Sequence, residues 1–174
     1  QKASMLLHAV EDFEQMADYA VNILFVARDK QKKKFPFTDK AIEELNIMKS
    51  AVEDTLNMCI CAFSDNNVDL AEQVEPLAEV ISSLRNALKK RHVKRMQSGA
   101  CSVKSGFAFT DCINALDKIA DHCQGVAASV IQMNNPEYEL HGPAHEKRKS
   151  EEEYKELYSE YNQQYVLPVS KSEL

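Results

Sequence analysis

Tryptophan is missing from this 174-residue chain, and glycine and proline are scarce, with 4 and 5 copies. So few turn-formers over this length exclude a fold of many short strands and leave room for only a few long elements. Lys and Arg number 21 against 27 Asp and Glu, giving a formal net charge of -6. That deficit of cations excludes nucleic acid as the main partner, because phosphate contacts need surplus Lys and Arg. No apolar run approaches the ~20 residues that span a bilayer, and no secretory leader is visible. No GxGxxG follows a strand-like run, so nothing supports a nucleotide-binding sheet. The five cysteines, Cys59, Cys61, Cys101, Cys112 and Cys123, are odd in number and contain no CxxC pair. Most lie among apolar helical residues, which predicts buried free thiols in a reducing compartment.

What is present is helical periodicity. A hydrophobic fraction of 44% with 28% charged residues is enough to bury a core. Apolar residues at spacings of three and four predict five helices in an antiparallel, all-α bundle. The first runs from Lys2 to about Ala27, with Leu6, Val10, Phe13, Ala17, Ala20 and Leu24 as its inward stripe. The lysine run Lys30 to Lys34 reads as a solvated loop ahead of Pro36; contact with an anionic membrane surface is the alternative. Thr38 is the expected N-cap of a second helix carrying Leu45, Met48, Val52, Leu56, Cys59 and Phe63. Ser64 to Asn67 is a turn. The third helix spans about Val68 to Gln97, with a kink or late start at Pro76 and a stop at Gly99. The fourth runs from about Val103 to Met133 and ends at Asn134-Asn-Pro136. A loop with His141 and His145 follows; Gly142 and Pro143 between them argue against a helical metal pair. Ser150 to Glu153 forms a capping box for a short fifth helix with Tyr154, Leu157, Tyr158, Tyr161 and Tyr165 on one side. That stripe is expected to pack on the core. The terminal Lys171-Ser-Glu-Leu174 has only a chance likeness to a retention signal, since no entry signal accompanies it.

One pattern occurs twice. Phe13-Glu-Gln-Met-Ala-Asp-Tyr19 in the first helix matches Leu116-Asp-Lys-Ile-Ala-Asp-His122 in the fourth, aligning Glu14 with Asp117 and Asp18 with Asp121. Measured from Phe13 and Leu116, the acids fall roughly 100° and 140° round each helix. Like charges four residues apart oppose each other by about 0.2–0.5 kcal/mol, and covering them adds a desolvation cost. A bound cation would offset both. A single such spacing is ordinary on a solvated face; the matched repeat is what points to a site. No nucleophile, His cluster or Gly-rich loop accompanies the acids, and Glu14 lacks the Glu-x-x-His spacing of di-iron bundles, so neither hydrolysis nor oxygen chemistry is indicated.

These residues resemble the PhoU family, whose three-helix repeats carry a Leu-Glu-Arg-Ile-Gly-Asp-His type motif. Arg91 to Cys101, then Ser105 to Asp111, then the Leu116 motif are similar to the cytoplasmic tail of bacterial sodium/phosphate cotransporters. The resemblance spans about Ala3 to Met133. It implies a helical bundle acting in phosphate uptake or its regulation, at the cytoplasmic face of the membrane, without catalysis. The implied partner is a transporter membrane domain in the same polypeptide; the alternative is a free-standing phosphate-signalling adaptor. It implies iron or another divalent metal on Glu14, Asp18, Asp117 and Asp121, with Glu44 a weaker ligand. His92 and Arg95 are expected near the apolar face, as ion-pair partners of the motif acids or as anion contacts. The sequence departs from the family where Ala78 stands in place of an acid, with Glu75 and Glu79 projecting to solvent. The implied layout is residues 1–30 as the last helix of an incomplete repeat, 38–135 as a complete repeat, 143–166 as a C-terminal helix and 167–174 as a tail. Gln1, inside an amphipathic pattern, is not expected to be the natural start. The lone first-repeat helix is expected to pack on the second repeat or be covered by a second chain, as a homodimer.

Overall fold

The computed structural model describes residues 2–135 and 151–169. His141, His145, Pro136, Ser150 and the 170–174 tail lie outside these residues. The described residues form five helices: α1 (Lys2–Lys33), α2 (Asp39–Ser64), α3 (Val68–Gln97), α4 (Val103–Asn134) and α5 (Glu151–Gln164). The all-α expectation holds, and no strand occurs among the described residues. α4 is the central helix and packs on α1, α2 and α3, while α5 lies on α3. Its residues are buried almost all round, with Phe109, Ile113, Cys123, Val126 and Val130 fully enclosed. α3 contributes Val74, Leu77, Ile81 and Leu88, and α2 contributes Met48 and Cys59 beside the small residues Ala41, Ala51, Thr55 and Ala62. The buried Thr55 hydroxyl is satisfied by donating to the Ala51 carbonyl at 2.8 Å.

The helix ends are set by local chemistry. Thr38 Oγ1 accepts from the Ala41 amide at 3.2 Å, Asn67 Oδ1 from Leu70 at 3.0 Å and Ser102 Oγ from Ser105 at 3.1 Å. Each such N-cap is worth about 1 kcal/mol. α3 closes in a Schellman turn: Gly99 at φ 72° lets its amide reach Met96 and that of Ala100 reach Arg95. α2 closes the same way on Asn66 at φ 51°, a residue that tolerates the left-handed region. Asn66 and Asn134 then exchange two amide hydrogen bonds, both 2.9 Å, joining the α2–α3 turn to the end of α4.

Three expectations need correction. α1 does not stop at Ala27 but continues to Lys33, taking most of the lysine run into its last turns. Lysine is a good helix former, and cations suit a helix C-terminus; Lys33 also pairs with Asp29 at 2.7 Å. Lys34, at φ 48°, ends it. Of the kink or late start expected at Pro76, the late start does not occur: α3 starts at Val68 and continues past Pro76. The inward stripe of α1 is also different. Ala9 and Met16 are buried and Phe13, Tyr19 and Ile23 pack beside them, while Leu6, Val10 and Leu24 stay exposed.

The tyrosine stripe of α5 does pack on the bundle. Tyr158 and Tyr161 join the core cluster, the Tyr154 hydroxyl donates to Glu79, and that of Tyr165 donates to Asp54. The strap that follows, residues 165–169, lays Leu167 on the core and brings the Pro168 carbonyl to Arg91. Of the five thiols, those of Cys59, Cys112 and Cys123 are buried, that of Cys101 is half-buried and that of Cys61 is exposed; all are free.

Candidate functional site

Polar groups are buried together at one end of the bundle, where the start of α2, the end of α3 and the start of α4 meet. Glu44 projects from the inward side of α2, in phase with Ala41 and Met48, and is 3% exposed. α3 answers with two arginines one turn apart. Arg91 Nη1 lies 3.0 Å from Glu44 Oε1, and Arg95 Nη1 lies 2.7 Å from Oε2. Arg91 also donates to the Pro168 carbonyl at 2.6 Å, which ties the strap to this cluster. His92, on the turn between the arginines, is 2% exposed and stacks on Phe109 with ring centroids 4.4 Å apart. Arg95 lies over the same ring, 5.4 Å from its centroid, a cation–π contact. Phe37 meets Phe109 edge-on at 5.7 Å.

Burial first, and then the Arg95 charge, push the His92 imidazole down to about 4. It is therefore neutral near pH 7. Its Nδ1 receives Arg95 Nε at 3.4 Å, which leaves Nε2–H to face Cys101 Sγ at 3.7 Å. Among the described residues the cluster sets one carboxylate against two guanidiniums.

The repeated acids are not in this cluster. Glu14 and Asp18 are exposed on the side of α1 away from α4. Asp121 is exposed and pairs with Lys118 at 2.8 Å. Asp117 is 6% exposed, and its Oδ2 meets Arg85 Nε at 3.2 Å in poor hydrogen-bonding alignment. Its Oδ1 is buried without a partner, the Ser82 hydroxyl being near but outside good geometry. Burial raises the Asp117 carboxyl above the usual range, against the opposing pull of Arg85. Arg95 thus pairs with Glu44, and His92 meets Arg95, Cys101 and Phe109; neither meets the motif acids, which corrects that pairing. Ala78 is buried, Glu79 is exposed and Glu75 is half-buried.

Among the described residues the candidate donors are not gathered into one site. Glu44 is shared between two arginines, Asp117 and Asp121 already meet cations, and Glu14 with Asp18 offers two carboxylates only. Among the described residues no three His, Cys, Asp or Glu side chains converge on a point that could hold a metal.

The second copy of the motif does other work. His122 Nδ1 lies 2.8 Å from Asp12 Oδ1 and stacks on Tyr19 at 5.8 Å, fastening α1 to α4. Gly125, one turn on, makes room: a Cβ there would stand 2.2 Å from Asp12 Oδ2. Nothing in local spacing announced this contact, though a glycine inside a long helix was a signal of close approach. At the other end of α1, Lys30, Lys34, Phe35 and Pro36 line an open cleft of about 420 Å³.

Residues 45–130 match the family model of the PhoU domain. The chain contains a PhoU-like domain. The match runs from α2 through most of α4 and takes in Arg91, His92, Arg95, Phe109, Asp117 and Asp121, with Glu44 just before it. PhoU domains are helical bundles, and the family is regulatory and concerned with phosphate homeostasis. No curated protein and no solved structure gives a significant match to the chain. No described helix is long and apolar enough to cross a membrane.

Proposed function

We propose that this PhoU-like chain is the regulatory domain of a sodium-dependent phosphate transporter, held at the cytoplasmic face of the membrane by a membrane domain in the same polypeptide. The PhoU match over α2 to α4 carries the reading. It is supported by the segment that resembles transporter tails. Arg91, His92, Arg95 and Cys101 from that segment build one closed end of the bundle. The chemistry of that end also suits regulation by contact. Its carboxylate is neutralised by two arginines, and its imidazole is too strongly desolvated to act as a base near neutral pH.

The test is removal of residues 2–169 from the full-length protein, followed by sodium-dependent uptake of radiolabelled phosphate in cells grown with ample or scarce phosphate. Uptake should persist while its adjustment to phosphate supply is lost. Unchanged adjustment would sink the proposal. Recovery of the intact protein from the soluble fraction, free of membranes, would favour a free-standing phosphate-signalling adaptor instead.

A further inference from the structure

α1 is apolar on two sides. One, built on Ala9 and Met16, is closed against the core. The other carries Leu6, Leu7, Val10, Val21, Leu24 and Phe25, each between 45% and 65% exposed. At 100° per residue the two stripes are centred about 120° apart, so no rotation of α1 buries both on α4. Six of the thirteen exposed large apolar side chains of the described residues share this outer face. A concentration of that kind marks a contact surface. The small Ala17 lies at its middle and the larger side chains lie toward its ends, a saddle that lets a second helix approach closely.

Charge decides what fits. By helical projection Glu14 falls inside this face, between Val10, Ala17 and Val21, and Asp18 falls on its edge. Both are exposed, and no cation of the described residues pairs with either. Covering the face with an uncharged helix would desolvate two unpaired carboxylates. A second copy of α1 is worse. Setting Leu7 against Leu24 and Val10 against Val21 in an antiparallel pair puts the two-fold axis between Glu14 and Asp18, so four carboxylates meet there. We infer that the outer face of α1 docks a cationic amphipathic helix of a partner protein. The partner's apolar stripe lies along Leu6, Val10, Val21 and Leu24, and its Lys or Arg side chains reach Glu14 and Asp18. The inference holds independently of the phosphate reading.

The probe is a synthetic helix of about three heptads with Leu at a and d and Lys at the flanking positions, compared with the same helix carrying Glu for Lys. Binding to the whole chain is followed by calorimetry with a chelator present, so that metal bridging plays no part. The Lys helix should bind and the Glu helix should not. Glu14→Gln/Asp18→Asn should weaken binding about fivefold or more, and added salt should do the same. Leu24→Asn should also weaken it. Glu43→Gln/Glu53→Gln, which removes two exposed acids from α2, should leave it within about twofold. Equal weakening by both double variants, or no binding of the Lys helix, overturns the inference. So does a dimer in light scattering that Leu24→Asn dissolves, since a second copy would then be the occupant. All these substitutions are at exposed positions, and thermal melts confirm that each variant is folded.

Discussion

Glu44 Oε2 and Arg95 Nη1 lie 2.7 Å apart, joining α2 to the last turn of α3 across 51 residues of chain. Their side chains are 4% and 13% exposed, so the pair is largely withdrawn from water. Deleting one partner of such a pair strands the other charge.

Glu44→Ala should therefore cost about 3 kcal/mol, since it leaves both Arg91 and Arg95 without their carboxylate. Urea unfolding at pH 7 measures it. A loss below about 1 kcal/mol would mean that solvent already screens the cluster.

His92 gives the fold a pH dependence. Its folded value, about 4, lies below the ordinary 6.5, so between these values the unfolded chain binds the extra proton. Stability is complete above pH 6.5 and falls as pH drops toward 4. One pKa unit is worth about 1.4 kcal/mol, which limits this loss to roughly 3 kcal/mol. His92→Phe keeps the stack on Phe109 and removes the titration. Its urea midpoint should change less between pH 7.5 and 4.5 than that of the unsubstituted protein.

Asp117 acts in the opposite sense. Burial raises its folded pKa above 3.8, so the folded state prefers the protonated acid, and stability is lost as pH rises through the raised value. Arg85 opposes that rise. Arg85→Met should leave a buried carboxylate without its facing guanidinium and cost about 2–3 kcal/mol at pH 7, with much less lost near pH 4. An equal cost at both pH values would show that Arg85 contributes packing rather than charge.

Gly125→Ala separates docking from helix formation. Alanine favours the helix by about 1 kcal/mol over glycine, but its Cβ would strike the Asp12 carboxylate that holds His122. The carboxylate is the end of a flexible side chain and can swing aside, at the loss of a contact worth about 1 kcal/mol. Global stability should hardly move, while amide exchange in α1 speeds up relative to α3. Unchanged exchange in α1 would show that apolar burial alone holds it.

Much of the fold was legible in the sequence, because helix ends are local chemistry. Thr38, Asn67 and Gly99 carry their roles in their residue types, and α3 has the bounds its periodicity implied. The facing of α1 was not legible. Its apolar residues satisfy the three-four spacing in more than one phase, and only contact with α4 selects Ala9 and Met16 over Leu6 and Val10. The polar end was half legible. Glu44 is an acid at a buried phase of α2, which is a signal in itself, but its pairing with Arg91 and Arg95 depends on how α2 and α3 align. The repeated acids stood out because the motif recurs, yet recurrence could not say that Asp117 is buried on α3 while Glu14 faces outward.

The exchange of amides between Asn66 and Asn134 sits at the end of the bundle opposite the Glu44 cluster. The three matched helices are thus pinned at both ends by polar groups that pair in one register only. Sliding α4 along its neighbours by a single turn, about 5.4 Å, would part the asparagines and pull Phe109 from under His92 together. The same slip would also part Asp117 from Arg85 in the middle of the bundle. With polar contacts at both ends and in the middle, a pull on one end of this bundle is passed to the other as displacement and not absorbed as creep.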